Sequence, residues 1–153
     1  MSTSSGRCTR RSCGTRTASC RRSTSRSSTT RRPAITATEG GPGDLGIVAA
    51  ADGGVVGVAY SRLFTHDGHG HGYLDDETPE VAVAVREDYR GRGLGGWLLN
   101  ELAQAAEAEG FTRLSLSVAA DNPARRLYER LGYEEVSADE SGLRMALELG
   151  RRV

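Results

Sequence analysis

The chain has 153 residues, enough for one domain with a real core, and a formal net charge of zero. The zero hides a split: all 20 cations are Arg, nine of them within residues 1–32, which hold no acid, while the body from Pro33 onward carries 11 Arg against 20 acids. With no Lys, a phosphate loop of the G-x-x-x-x-G-K-[ST] type is excluded; no apolar run reaches the roughly 18 residues of a membrane span, and no apolar stretch reads as a secretory signal.

Residues 1–43 form an Arg/Ser/Thr-rich head that also holds all three cysteines, Cys8, Cys13 and Cys20. An odd cysteine count in a stretch without a core does not read as a disulfide framework. So few apolar side chains cannot offset the entropy of ordering, so the head is expected to be disordered. It reads in three ways: a basic arm for nucleic acid, an organellar targeting segment, or non-native coding sequence ahead of the domain. The abrupt change of composition near Pro33 favours the last. The body, 44–153, reads as a cytoplasmic domain for which neither membrane nor nucleic acid is expected as a partner.

"LGIVAAAD" (45–52) predicts a strand, "DGG" a turn, and "VVGVAYSRLF" (55–64) the second arm of a hairpin. "THDGHGHGYLDDET" (65–78) is a polar loop; its His66, His69 and His71 have a metal-like spacing but sit in a glycine-rich setting that holds no geometry, so no metal is expected. "PEVAVAVR" (79–86) alternates strictly and predicts a third strand. A helix follows over about 94–109, with Leu94, Leu98, Leu102, Ala105 and Ala106 on its apolar face and Gly110 as its stop. "RLSLSVAA" (113–120) is a fourth strand. "NPARRLYERLG" (122–132) is a second helix, with Asn122 as cap and Gly132 just past its end. "YEEVSA" and "LRMALEL" close the chain as strands. The order β-β-β-α-β-α-β-β gives an α+β fold, a mixed sheet with one central βαβ crossover.

Between the third strand and the first helix stands "YRGRGLGG" (89–96). Gly91, Gly93 and Gly96 match G-x-G-x-x-G, but "REDYR" separates strand from glycine and only one βα unit follows, which excludes a dinucleotide fold. The physics still favours an anion. Main-chain amides of a glycine loop at a helix start bind phosphate, and Arg90 and Arg92 add fork-shaped donors.

"RGRGLG" (90–95) resembles the R/Q-x-x-G-x-G/A signature of the GNAT (Gcn5-related N-acetyltransferase) superfamily, and "DNPARRLYERLGY" (121–133) resembles its second hallmark. The resemblance covers roughly 44–149. It implies acetyl-CoA as co-substrate, its diphosphate held by Arg90, Gly91, Arg92, Gly93, Leu94, Gly95 and Gly96. It implies a third strand splayed from its neighbour, whose Val83, Ala84 and Val85 pair with the pantetheine arm, and Asn122 contacting that arm. Tyr128 then faces the thioester sulfur, although the step from Asn122 is one residue shorter than the family's usual one. Without the resemblance, Tyr128 is a core aromatic and Asn122 a helix cap. Glu80 lies where the family often keeps an acid and is the candidate general base; solvated edge charge is the plainer alternative. The implied reaction is acetyl transfer to a primary amine on a small molecule or peptide. The family's usual first strand and helices have no counterpart in the head. An exposed apolar surface is therefore expected, suited to a homodimer, as is a domain that binds CoA without turnover.

Overall fold

The computed structural model describes residues 31–35, 41, 43–51 and 53–150. Seven strands form one sheet: β1 (Arg31–Ile35), β2 (Leu45–Ala51), β3 (Gly54–Arg62), β4 (Glu80–Val85), β5 (Arg113–Val118), β6 (Glu134–Asp139) and β7 (Gly142–Glu148). Two helices, α1 (Leu94–Ala108) and α2 (Ala124–Leu131), complete the fold. The spatial order is β1-β2-β3-β4-β5-β7-β6, and the single parallel pair is β4–β5. Parallel neighbours need a long crossover, which α1 supplies. The expected β-β-β-α-β-α-β-β order is present, with β1 added in front. β1 lies inside the head expected to be disordered; it pairs Ile35 with Ile47 and Ala34 with Val48 along β2. The rest of residues 1–40, and with it every cysteine, lies outside the described residues.

Apolar periodicity explains the core. α1 presents Leu98, Leu99, Leu102, Ala103 and Ala106 as its buried stripe. They pack with Ile47 and Ala49 of β2, Ala59 of β3, Val81 of β4 and the Leu114–Leu116–Val118 face of β5. Leu98 and Leu102 are fully buried, each worth roughly 1.5–3 kcal/mol relative to exposure. Leu94 and Ala105, expected on the same stripe, are only partly buried. Leu94 opens the helix beside the site, and the stripe turns toward Leu99 and Ala103. Gly57 permits the close seat of α1: a Cβ there would lie 2.9 Å from Leu98 Cδ1.

The strands of the hairpin β6–β7 fall in an order that chain order does not suggest. β7 inserts between β5 and β6, pairing Leu116 with Met145 and Ser117 with Arg144. Gly142 makes this possible. Its φ is 131°, and a Cβ there would meet the Val118 carbonyl oxygen at 2.5 Å. No helix among the described residues is long and apolar enough to cross a membrane. Val55 and Tyr60 of β3 are 58% and 51% exposed.

Gly142→Ala is expected to destabilise the fold by about 2–4 kcal/mol, through backbone strain and displacement of β5. Chemical denaturation of the variant against the parent checks this.

Candidate active site

β4 has two unlike sides. Toward β3 it pairs over six residues, from Glu80↔Arg62 to Val85↔Gly57. Toward β5 it pairs at one, Glu80↔Ser115, next to the Ser115 N–H donating to Pro79 O at 3.0 Å. Past Glu80 the two strands diverge, so β5 offers no paired residue to Val81–Val85. The expected splay is therefore present. The Arg86 N–H donates to Val56 O of β3 at 2.9 Å, which fixes the alternation. Main-chain groups of Ala82 and Ala84 turn to β3, and those of Val83 and Val85 turn into the gap, while the Val81 N–H belongs to the Glu80↔Ser115 bridge. Their side chains do the opposite work, with Val81, Val83 and Val85 packing against the core.

The gap opens onto the glycine loop. Gly91 and Gly93 have φ of 73° and 79°, in the left-handed region, and an added Cβ at either would meet nothing within 4 Å. These two glycines serve backbone angle and leave the space over the loop clear. Gly95 and Gly96 serve packing: added Cβ atoms would sit 3.5 Å and 3.3 Å from the Leu127 methyls of α2. Gly93 is the N-cap of α1, and no side chain caps that end. The helix therefore begins with amides that no side chain caps and a partial positive charge behind them. Arg90 folds back, its Nε donating to Val85 O at 3.1 Å, so one carbonyl of the gap is already engaged. Arg92 lies over the Tyr89 ring, 5.2 Å from its centroid, and Arg86 over the same ring at 5.6 Å.

α2 brings the remaining candidates. Asn122 caps it, its Oδ1 accepting the Ala124 N–H at 2.9 Å. Gly132, at φ 98°, ends it. Tyr128 is partly buried against the core and meets Tyr133 edge-on at 5.8 Å. Burial pushes the Tyr128 phenol above its ordinary value of 10.0. Its hydroxyl thus stays protonated through the neutral range.

Glu80 is not a solvated edge charge. The loop 65–78 lies on it: the Gly72 N–H donates to Oε1 at 2.9 Å, and Oε2 is shut off from solvent without a hydrogen-bond partner. Within that loop His69 stacks on Tyr73 at 4.2 Å. The Tyr73 hydroxyl donates to Asp76, which raises its pKa to about 12. Among the described residues no group of three His, Cys, Asp or Glu is arranged to hold a metal ion.

A model of the "Acetyltransferase (GNAT) family" matches residues 16–133. The chain belongs to this family. A mycothiol acetyltransferase from Corynebacterium aurimucosum is 52% identical over 52 residues, 33% of this chain and 17% of that protein. The GNAT domain of S. lividans PAT superimposes with a TM-score of 0.62 at 21% identity, covering 71% of this chain and 62% of that one. A ribosomal-protein-alanine N-acetyltransferase from Brucella melitensis gives 0.60 at 29% identity, over 70% of each chain. An acetyltransferase from Salmonella typhimurium solved with its cofactor acetyl-CoA gives 0.60 at 25%, covering 72% of this chain and 67% of that one. The chain thus spans less than two thirds of the S. lividans domain and about a sixth of the mycothiol acetyltransferase.

Three parts of this candidate site carried no sequence signal strong enough to single them out. Leu127 grips Gly95 and Gly96, but reads as one more apolar helix position. Gly70 and Gly72 read as loop glycines, although both lie against Glu80. Arg144, on the last strand, donates through Nε to His71 O at 2.9 Å, a contact across 73 residues of chain.

The raised Tyr128 pKa has a sign that can be tested. A phenol that titrates higher when folded keeps its contribution to stability below about pH 10 and loses it as pH rises toward the folded value. Tyr73, also raised, titrates in the same window. Tyr128→Phe should therefore flatten, without abolishing, the fall of denaturation free energy above about pH 10.

Proposed function

We propose that this chain is an acetyl-CoA-dependent N-acetyltransferase acting on a primary amine, carried by a small molecule or a peptide. The observation that carries the proposal is the splay of β4 from β5, opening directly onto the uncapped, glycine-lined start of α1. A slot lined by unpaired strand groups at one end and helix-start amides at the other suits a ligand with an amide-bearing arm and a diphosphate. The clear space over Gly91 and Gly93 is the fit test, since side chains there would fill the place a diphosphate takes. Acetyl-CoA supplies an activated thioester.

Each residue then has a task. Amides of Gly91–Gly96, with Leu94 among them, hold the diphosphate, and Arg90 and Arg92 stand at its flank. Val83 offers its N–H and C=O and Val85 its N–H to the pantetheine arm, the Val85 carbonyl being held by Arg90; Ala84, its own groups turned to β3, sets their register. Asn122 borders that arm while capping α2. A primary alkylamine with a pKa near 10.4 is neutral in only about one molecule per thousand at pH 7, so a proton must be removed before it attacks. Glu80, at the closed end of the splay, is the carboxylate available to take it. A strand amide facing the gap polarises the carbonyl oxygen, and Tyr128 donates a hydrogen bond to the departing sulfur. Because a thiol titrates near 8.5 and the buried phenol above 10, Tyr128 serves as donor rather than as full proton source.

Titration calorimetry with acetyl-CoA tests the binding half. Alanine at both Gly91 and Gly93 should weaken affinity about tenfold or more, by straining the loop and crowding the diphosphate. A thiol-release assay over a panel of amines tests the chemistry. There Tyr128→Phe should lower kcat about tenfold to a hundredfold with little change in acetyl-CoA affinity. Wild-type turnover in that variant would remove Tyr128 from the mechanism.

A further inference from the structure

The loop 65–78 crosses the sheet face opposite α1 and is tied down on both sides of β5. The Gly72 N–H is held by Glu80 Oε1 on β4 at 2.9 Å. The neighbouring His71 carbonyl is held by Arg144 Nε on β7 at 2.9 Å, and β5 runs between those two strands. Arg144 is itself fixed by Asp139 at 2.8 Å. The single peptide unit joining His71 to Gly72 is thus held from both ends, over the place where β4 and β5 part company. The fit over Glu80 leaves no room for a side chain. A Cβ at Gly70 would lie 2.6 Å from Oε2 and 2.9 Å from Oε1, and a Cβ at Gly72 would lie 2.9 Å from Oε1 and from the carboxyl carbon. Such distances do not occur in folded proteins, so a side chain at either position would push the Glu80 carboxylate out of its seat under the loop.

The consequence for Glu80 is unusual. One oxygen is paired with an amide, and the other is sealed beneath Gly70 with no donor of its own. A buried carboxylate oxygen without a donor is a poor resting arrangement, and it improves when a donor arrives. We propose that Gly70 and Gly72 are positioning residues that strap the loop over Glu80, aiming its carboxylate and keeping water from it until an amine N–H takes the place of Gly70 at Oε2. This rests on Glu80 being the base. The chemical benefit is protection of the thioester. An uncovered carboxylate would activate water as readily as amine: water oxygen would bond to the carbonyl carbon, the C–S bond would break, and Glu80 would pass one water proton to the thiolate, giving free thiol and acetic acid, which releases the second proton to solvent. With the strap closed, water has no place beside Oε2.

Hydrogen exchange at the Gly72 amide and thiol release from acetyl-CoA without amine, measured on the full chain, test this together. Gly70→Ala displaces the Glu80 carboxylate from the Gly72 amide, so Gly72 exchange should speed by about tenfold or more, and amine-free thiol release should rise several-fold. Glu80→Gln keeps an oxygen acceptor for Gly72 and should retain slow exchange. Combined with Gly70→Ala it should cancel the rise in thiol release. Arg144→Ala, which frees the other anchor, should speed exchange without altering Glu80. The proposal is overturned if Gly72 exchanges at an unstructured-chain rate in the parent. It is equally overturned if Gly70→Ala leaves exchange slow, or uncouples the loop without raising thiol release. A parent that binds no acetyl-CoA would instead strike the acetyltransferase reading, and the exchange pattern would still decide whether the strap exists.

Discussion

One missing set of hydrogen bonds organises this molecule. β4 and β5 are parallel neighbours that meet at a single residue pair, Glu80↔Ser115, and then separate. In a continuous sheet Val81–Val85 would be satisfied on both sides, and there would be no slot. Leaving one side of a central strand unpaired costs stability, because buried main-chain groups want partners. The compensation is packing. The side chains of Val81, Val83 and Val85 and the buried stripe of α1 hold β4 in place from the helical face, while β3 pairs it along its full length. The sheet can open locally because it is secured everywhere else.

The glycines around the slot divide between three physical tasks. Gly91 and Gly93 adopt positive φ over open space. Gly95 and Gly96 let Leu127 bring α2 against the start of α1, which ties the glycine loop to the helix bearing Tyr128. Gly70 and Gly72 let a peptide chain lie directly on a carboxylate. The same residue type provides angle in the first case, helix approach in the second and backbone-to-side-chain contact in the third. Substitutions at these six positions should therefore fail for different reasons.

Glu80 and Tyr128, placed by the proposed mechanism at opposite ends of a proton's path, share one device. Both are withdrawn from water, Glu80 by a loop and Tyr128 by the core. Withdrawal keeps the phenol neutral and able to donate. It leaves the carboxylate short of one hydrogen bond, which an incoming donor can supply. Under the proposed transfer to an amine, this arrangement suits a site that must exclude water.

The linear sequence determined the elements, because each rests on local physics. Strict alternation from Val81 to Val85 made β4, a repeated apolar stripe made α1, and Asn122 with Gly132 bounded α2. The paired motifs at 90–95 and 121–133 were equally legible, since each is a continuous run whose residue types answer a local requirement. Some features depend on contacts between distant parts of the chain, and only the tertiary structure decided them. Nothing local tells that β7 slips between β5 and β6, that β1 forms from a stretch of Arg, Pro and Ala, or which half of Val83–Ala84–Val85 faces the gap. Glu80 looked like edge charge because the loop that buries it is held partly by Arg144, some 73 residues beyond His71. Periodicity records which face of an element is apolar; what comes to lie against the other face is set by register and topology, which a residue's neighbours in sequence do not encode.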